Sequence, residues 1–83
     1  SKLNEVESRY EQIQLQLQKP DIASDQKKYR SLMKELADLE KVVVAYREFK
    51  AKKAELESNK NLLATEKDEE IRDMAKEEIK ILE

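Results

Sequence analysis

The sequence predicts an all-α protein in which three antiparallel helices form a coiled-coil-like arrangement around one long central helix. Its 83 residues include no Gly, a single Pro and 43% charged side chains, a composition typical of long helices with exposed faces. Apolar residues recur at alternating spacings of three and four, which is the period of a helix with one buried face. Two connection signals, near residue 20 and near residue 65, divide this pattern into three stretches.

The first helix is predicted at 2–18. Its apolar face is a regular series of Leu3, Val6, Tyr10, Ile13 and Leu17. Lys19-Pro20 ends the helix because the residue before a Pro avoids the α region. The following connection is short and therefore returns the second helix antiparallel to the first.

The central helix is predicted at 25–63, with Ser24 as its N-cap and Asp25 in its first turn. Its apolar face rotates along its length, which predicts one partner helix on each part. The early face comprises Tyr29, Leu32, Leu36, Leu39, Val43 and Tyr46, and the later one Val42, Phe49, Leu56 and Leu63. We expect Leu36, Leu39 and Val43 to be buried against Tyr10, Ile13 and Leu17.

The third helix is predicted at 69–83, after a turn at 64–67, with Asp68 as its N-cap. Glu69 and Glu70 follow in its first turn, where negative charge opposes the positive end of the helix. Its apolar face is expected to pack on Phe49, Leu56 and Leu63, and it comprises Ile71, Met74, Ala75, Ile79 and Leu82. The aromatic residues of the chain all lie on such faces, which favours core packing over stacking on nucleic-acid bases.

The net charge is −2, but the charges are unevenly placed along the chain. Residues 41–53 carry five bases and one acid, whereas residues 66–78 carry seven acids and three bases. The candidate surface for ribosomal RNA or an acidic partner is the basic group Arg47, Lys50, Lys52 and Lys53. The plainer interpretation, which we favour, is that both charged stretches are solvated helix faces.

The residues of common catalytic and metal sites are missing from the chain. Without His or Cys, it lacks the usual general bases, nucleophiles and transition-metal ligands. Without Gly it cannot form a phosphate-cradling loop. Glu69 and Asp73 stand four apart and could hold a hard cation, but exposed carboxylates of this kind are typically solvated. We therefore predict no enzymatic activity, no cofactor and no metal, and the apolar runs are too short to span a membrane.

Several segments, in their order and spacing, resemble one known family. These segments are Val6-Glu7-Ser8-Arg9-Tyr10-Glu11, Lys19-Pro20-Asp21-Ile22-Ala23-Ser24-Asp25, Ala45-Tyr46-Arg47-Glu48-Phe49-Lys50 and Asp68-Glu69-Glu70-Ile71-Arg72-Asp73-Met74-Ala75-Lys76-Glu77-Glu78. The whole chain is similar to the N-terminal domain of bacterial class I peptide chain release factors, of the type that reads UAA and UAG.

The resemblance implies that residues 1–83 are a single helical domain, an N-terminal fragment of a longer cytoplasmic factor that acts in translation termination. It implies as partners the stalk base of the large ribosomal subunit and the GTPase release factor, reached through the full-length protein, and neither DNA nor a membrane. The family's Gly-Gly-Gln hydrolysis motif is missing because the chain has no Gly. Its Pro-x-Thr codon-reading motif is missing because the only Pro is followed by Asp21-Ile22. The resemblance therefore assigns no catalytic or codon-reading residue to this chain.

An alternative is a structural or chaperone-like helical hairpin whose likeness to release factors reflects composition alone. A Gly-Gly-Gln motif further along the parent gene would favour the first interpretation. The third helix reaches Glu83 without a Gly, Asn or Pro stop signal, as expected of a helix that has been cut. Because Ile81 and Leu82 would then lack their covering, we expect weak self-association of the fragment through this helix.

Overall fold

The computed structural model describes all residues from Ser1 to Glu83. The chain is 88% helical and contains α1 (Lys2–Leu17), a short 3-10 turn (Ile22–Ser24), α2 (Gln26–Thr65) and α3 (Glu69–Leu82), without strands. The chain divides into two compact units, Ser1–Tyr46 and Arg47–Glu83, with α2 contributing to both. The predicted all-α class and the three helices are confirmed. None of the helices is long and apolar enough to cross a membrane.

The start of α2 differs from the prediction by one residue. Ser24 is not the N-cap, because its hydroxyl donates at 2.7 Å to the Asp21 carbonyl oxygen within the 3-10 turn. Asp25 takes the capping position, where its Oδ1 accepts a hydrogen bond from the Lys28 N–H at 3.1 Å. Because the Ser24 hydroxyl is hydrogen-bonded within the turn, the side chain of the next residue, Asp25, caps the helix instead.

The core of the first unit forms between α1 and the early part of α2. Ile13 is fully buried, and it clusters with Ile22 and Leu32. Packed against this cluster are Leu17, Leu36 and Leu39, while Tyr10 and Val43 are also buried. The predicted pairing of the two apolar faces is confirmed. Leu36 and Leu39 are only half-buried, because a single pair of helices leaves one side of the contact open.

The predicted core position of Tyr29 is wrong, because its side chain is 41% exposed. Ile22, which we did not place in the core, is buried through the 3-10 turn. Tyr46, at the other end of this unit, is half-buried and its hydroxyl donates a hydrogen bond to Asn4 Oδ1. The 3-10 turn thus adds the side chain of Ile22 to the core formed by Ile13 and Leu32.

The core of the second unit is thinner. Ala75 is its only buried residue, and further apolar residues of the unit are half-buried, among them Leu56, Leu63, Ile79 and Leu82. The predicted burial of Met74 and Phe49 is wrong, since they are 72% and 61% exposed. A face built on one small Ala and two helices covers only a narrow line of side chains, so residues at its edges stay in water.

The connection between α2 and α3 is held by local hydrogen bonds. The helix α2 continues to Thr65, two residues beyond the predicted end. Glu66 Oε1 then accepts from the N–H groups of Lys67 and Asp68, at 3.0 and 3.1 Å. Asp68 is confirmed as the N-cap of α3, because its Oδ1 accepts from the Glu70 N–H at 2.9 Å. The turn therefore satisfies the donors that open the third helix.

Candidate interaction surface

The second unit carries an open groove of about 370 Å³ between α2 and α3. It is lined by Phe49, Lys52, Lys53, Leu56 and Leu82. Leu56 and Leu82 are half-buried, while the ring of Phe49 is largely exposed. The groove thus presents an apolar surface to solvent beside two lysines.

Helical geometry places these lysines on opposite sides of the apolar line. At about 100° per residue, Phe49 and Leu56 differ by only about 20° around the axis of α2. Lys52 falls about 60° to one side of Phe49, and Lys53 about 40° to the other. Both lysines are exposed, and their aliphatic stems border the groove while their ammonium groups reach water.

The other two predicted basic residues lie elsewhere on the helix. Arg47 stands about 160° from Phe49 around the axis, and Lys50 about 100°. Both have interaction partners within the protein. The structure therefore places two of the four predicted residues, Lys52 and Lys53, at one groove and distributes the others around α2.

Three of the five acidic residues of α3, and Glu83 directly after it, pair with bases of the same unit. Glu69 lies 3.9 Å from Arg72, and Glu83 lies 3.6 Å from Lys60. The Asp73–Lys76 and Glu77–Lys80 pairs, at 4.0 and 3.4 Å, follow the three-residue spacing of one helix face. These pairs are exposed and contribute little to stability. No group of three acidic side chains converges on a potential metal position.

Within the groove, Phe49 is the residue whose predicted burial is wrong. Its periodic position predicted burial, but the apolar line that contains it, Val42, Phe49 and Leu56, recurs only every seven residues. After Phe49, the positions three and four residues on are Lys52 and Lys53 rather than apolar residues. That missing step is the signal that could have indicated an exposed edge rather than a core.

In the first unit the main polar contact joins the two helices. Arg9 Nε donates to Glu35 Oε2 and Arg9 Nη2 donates to Glu35 Oε1, each at 2.7 Å. These hydrogen bonds are the main reason why the pKa of the Glu35 carboxyl is lowered and the pKa of the Arg9 guanidinium is raised. Arg9 thus pairs with a residue of the other helix.

The amino-acid sequence matches a known protein family. The sequence profile of the PCRF domain matches residues 6–83. The chain belongs to the PCRF domain family. This PCRF domain is 43% identical over 82 residues to peptide chain release factor 1 of Clostridium novyi (strain NT). The matched segment covers 99% of the chain and 23% of that protein. Its identity to peptide chain release factor 1 of Clostridium botulinum (strain Hall) is 44% over 81 residues, again covering 23% of the relative.

A third relative is peptide chain release factor 1 of Clostridium perfringens (strain SM101), 43% identical over 98% of this PCRF domain and 22% of the relative. The chain therefore spans less than a quarter of the curated relatives it matches. The predicted resemblance to bacterial class I release factors is confirmed. No solved structure matches the chain.

Proposed function

We propose that this PCRF domain acts in translation termination, as the ribosome-facing, non-catalytic N-terminal domain of a peptide chain release factor. One observation carries the proposal: 43% identity to peptide chain release factor 1 of Clostridium novyi across 99% of the chain. This match extends through both connections between the helices as well as the helices themselves. Two unrelated helical chains of similar composition would not be expected to match in this way. On this proposal, residues 1–83 form one helical domain at the start of a longer cytoplasmic factor.

The surfaces of the protein favour binding over chemistry. The groove at Phe49 is open and shallow, and its only charged lining residues are the two lysines. A general acid or base works best in a site that excludes water and shifts its pKa. This groove is open to water. Stop-codon reading and peptidyl-tRNA hydrolysis then belong to other parts of the factor.

The partners proposed are the stalk base of the large ribosomal subunit and the GTPase release factor. Both follow from the family resemblance. A domain that binds such partners needs exposed side chains of mixed character, and the second unit supplies them in Phe49, Lys52 and Lys53. Long-range attraction between the lysines and an acidic or RNA surface would speed encounter.

A crosslinking experiment tests the placement. This chain replaces the matching segment of the Clostridium novyi factor, and a photoreactive amino acid is introduced at Lys53 or, as a control in the other unit, at Lys27. On ribosomes stalled at UAA, position 53 is expected to crosslink to components of the stalk base. Crosslinks from both positions only to the decoding site, or to no ribosomal component, would contradict the proposal.

The predicted basic residues are tested by charge reversal in the same chimera. We expect Lys52→Glu with Lys53→Glu to lower the termination rate and to flatten its dependence on salt, because fewer phosphate or carboxylate contacts remain. Arg47→Glu with Lys50→Glu is the matched double variant on the other sides of α2. If both pairs leave rate and salt dependence unchanged, all four residues are solvated surface only.

A further inference from the structure

We infer that the groove lined by Phe49, Lys52, Lys53, Leu56 and Leu82 binds an acidic amphipathic helix of a partner protein. The inference rests on the proposed function, because it names the class of partner that this interaction domain recognises. Three properties of the groove carry it: its apolar floor, the spacing of the residues along it and the sign of the charge beside it.

The apolar floor has the dimensions that a helix requires. Phe49 and Leu56 are seven residues apart on one face of α2, a separation of about 10.5 Å along the axis. Apolar residues at positions i and i+7 of a second helix have the same separation, with i+3 or i+4 between them. Leu82 at the end of α3 closes one side of the floor. A partner helix can therefore place three anchors along this groove.

The charge beside the floor is positive on both sides. Lys52 and Lys53 border the Phe49–Leu56 line from opposite directions, and both are exposed. A helix lying on the line would bring its flanking positions within reach of the two ammonium groups. Asp or Glu at those positions is attracted, whereas Lys or Arg is repelled. The groove thus selects for an acidic helix and against a basic one.

Two other occupants fit the groove less well. RNA binding uses several aromatic platforms, whereas Phe49 is the only aromatic residue here and Leu56 and Leu82 offer no flat face to a base. A stable dimer buries about 800 Å² on each partner, more than a groove lined by five side chains provides. A short helix held transiently agrees better with both the area and the chemistry.

A display library tests the inference on the 83-residue chain itself. Helical peptides carry Leu or Ile at i, i+4 and i+7, and their flanking positions are drawn equally from Asp, Glu, Lys, Arg and Ser. Peptides are selected on the wild-type chain after depletion on the Phe49→Ser variant. We expect Asp and Glu to be enriched at the flanking positions. Enrichment of Lys or Arg, no charge preference, or no peptide that survives depletion would overturn the inference.

Selected peptides are then measured by titration against matched variants. Lys52→Glu with Lys53→Glu is expected to weaken binding at least tenfold, as is Phe49→Ser. The controls in the first unit, Leu15→Ser and Lys27→Glu with Lys28→Glu, should leave affinity within twofold. Phe49 is 61% exposed, so its variant should keep the helical circular dichroism and melting profile of the wild type.

Two further outcomes count against the inference. One is a mixed-sequence single-stranded oligoribonucleotide that binds through Phe49 and the two lysines more tightly than the acidic peptides. The other is concentration-dependent dimerisation that Phe49→Ser abolishes, because a second copy would then occupy the groove. If acidic peptides bind but the chimeric factor fails in termination, the proposed function fails while the groove's preference stands.

Discussion

Arg9 and Glu35 form a two-point contact that joins α1 to α2, with both N···O distances at 2.7 Å. A planar guanidinium that meets a carboxylate in this way fixes orientation as well as distance. The two side chains are 41% and 40% exposed, so water weakens the attraction. The contact therefore acts mainly on alignment, by selecting which turn of α1 faces which turn of α2.

The first prediction concerns pH. The pKa of Glu35 in the folded protein is held below its ordinary value of 4.5, chiefly by the hydrogen bonds from Arg9. A depressed carboxyl pKa stabilises the folded state above the ordinary value, and this contribution is lost as pH falls through the folded pKa. We expect Glu35→Gln to be less stable than wild type at neutral pH.

The stability difference between wild type and Glu35→Gln should shrink in urea melts as the pH falls below the ordinary glutamate range. Glu40→Gln, which removes an exposed carboxylate on the same helix, is the control and should show no such convergence. A gap between wild type and Glu35→Gln that is constant with pH would show that the pair does not act through ionised Glu35.

The second prediction concerns the core of the first unit. Ile13 is fully buried, whereas Leu15 on the same helix is 62% exposed. Ile13→Ala should lower the free energy of unfolding by about 2–5 kcal/mol, because it leaves a cavity. Leu15→Ala should change it by about 0.5 kcal/mol or less, and Leu36→Ala, at a half-buried position, should fall between them. Equal effects of the three in a denaturant melt would contradict the assigned core.

Sequence reasoning was sufficient for the helices because their signals are local. Pro20 disfavours the α region at the residue before it, and Asp68 caps α3 with its own side chain. Ser24 and Asp25 show where this local reasoning stops. Both residue types cap helices well, and the choice depends on a 3-10 turn that no periodic pattern announces.

The third prediction tests the cap of α3. Asp68 Oδ1 accepts from the Glu70 N–H, whereas the side chain of Asp21 makes no capping hydrogen bond in its turn. Asp68→Ala should cost about 0.5–2 kcal/mol of stability, measured by thermal or urea melts. Asp21→Ala should cost distinctly less. The assignment of Asp68 fails if the two variants are indistinguishable.

The fourth prediction concerns Arg72, which connects α3 to the end of α2. Its Nη1 donates to the carbonyl oxygens of Leu63 and Glu66, which lie at the helix end where carbonyls lack partners. Arg72→Met retains the aliphatic stem but removes these donors. Hydrogen exchange of the last turn of α2 and the first turn of α3 should therefore accelerate.

Lys76→Met is the control for Arg72, since Lys76 makes only an exposed pair with Asp73 at 4.0 Å. Its exchange pattern should match that of the wild type. Unchanged protection in Arg72→Met would mean that Glu66 and Asp68 hold the turn without help from the guanidinium.

The candidate surface was harder to predict than the fold. Counting charges along the chain grouped Arg47, Lys50, Lys52 and Lys53, but the helix turns by about 100° per residue and separates them around its axis. The exposure of Phe49 depends on how far α3 covers α2, and Leu82 is the one residue of α3 that lines the groove beside Phe49. Such information is tertiary, and residue spacing along one helix does not contain it.

The central claim is that this PCRF domain serves termination without performing hydrolysis. The most direct measurement compares peptide release and factor recycling by three factors: the Clostridium novyi protein, the chimera that carries this chain, and a deletion of the matching segment. We expect the deletion to retain release from saturated complexes while losing recycling by the GTPase factor, and the chimera to restore recycling. Loss of release at saturation in the deletion, or no restoration by the chimera, would contradict the claim.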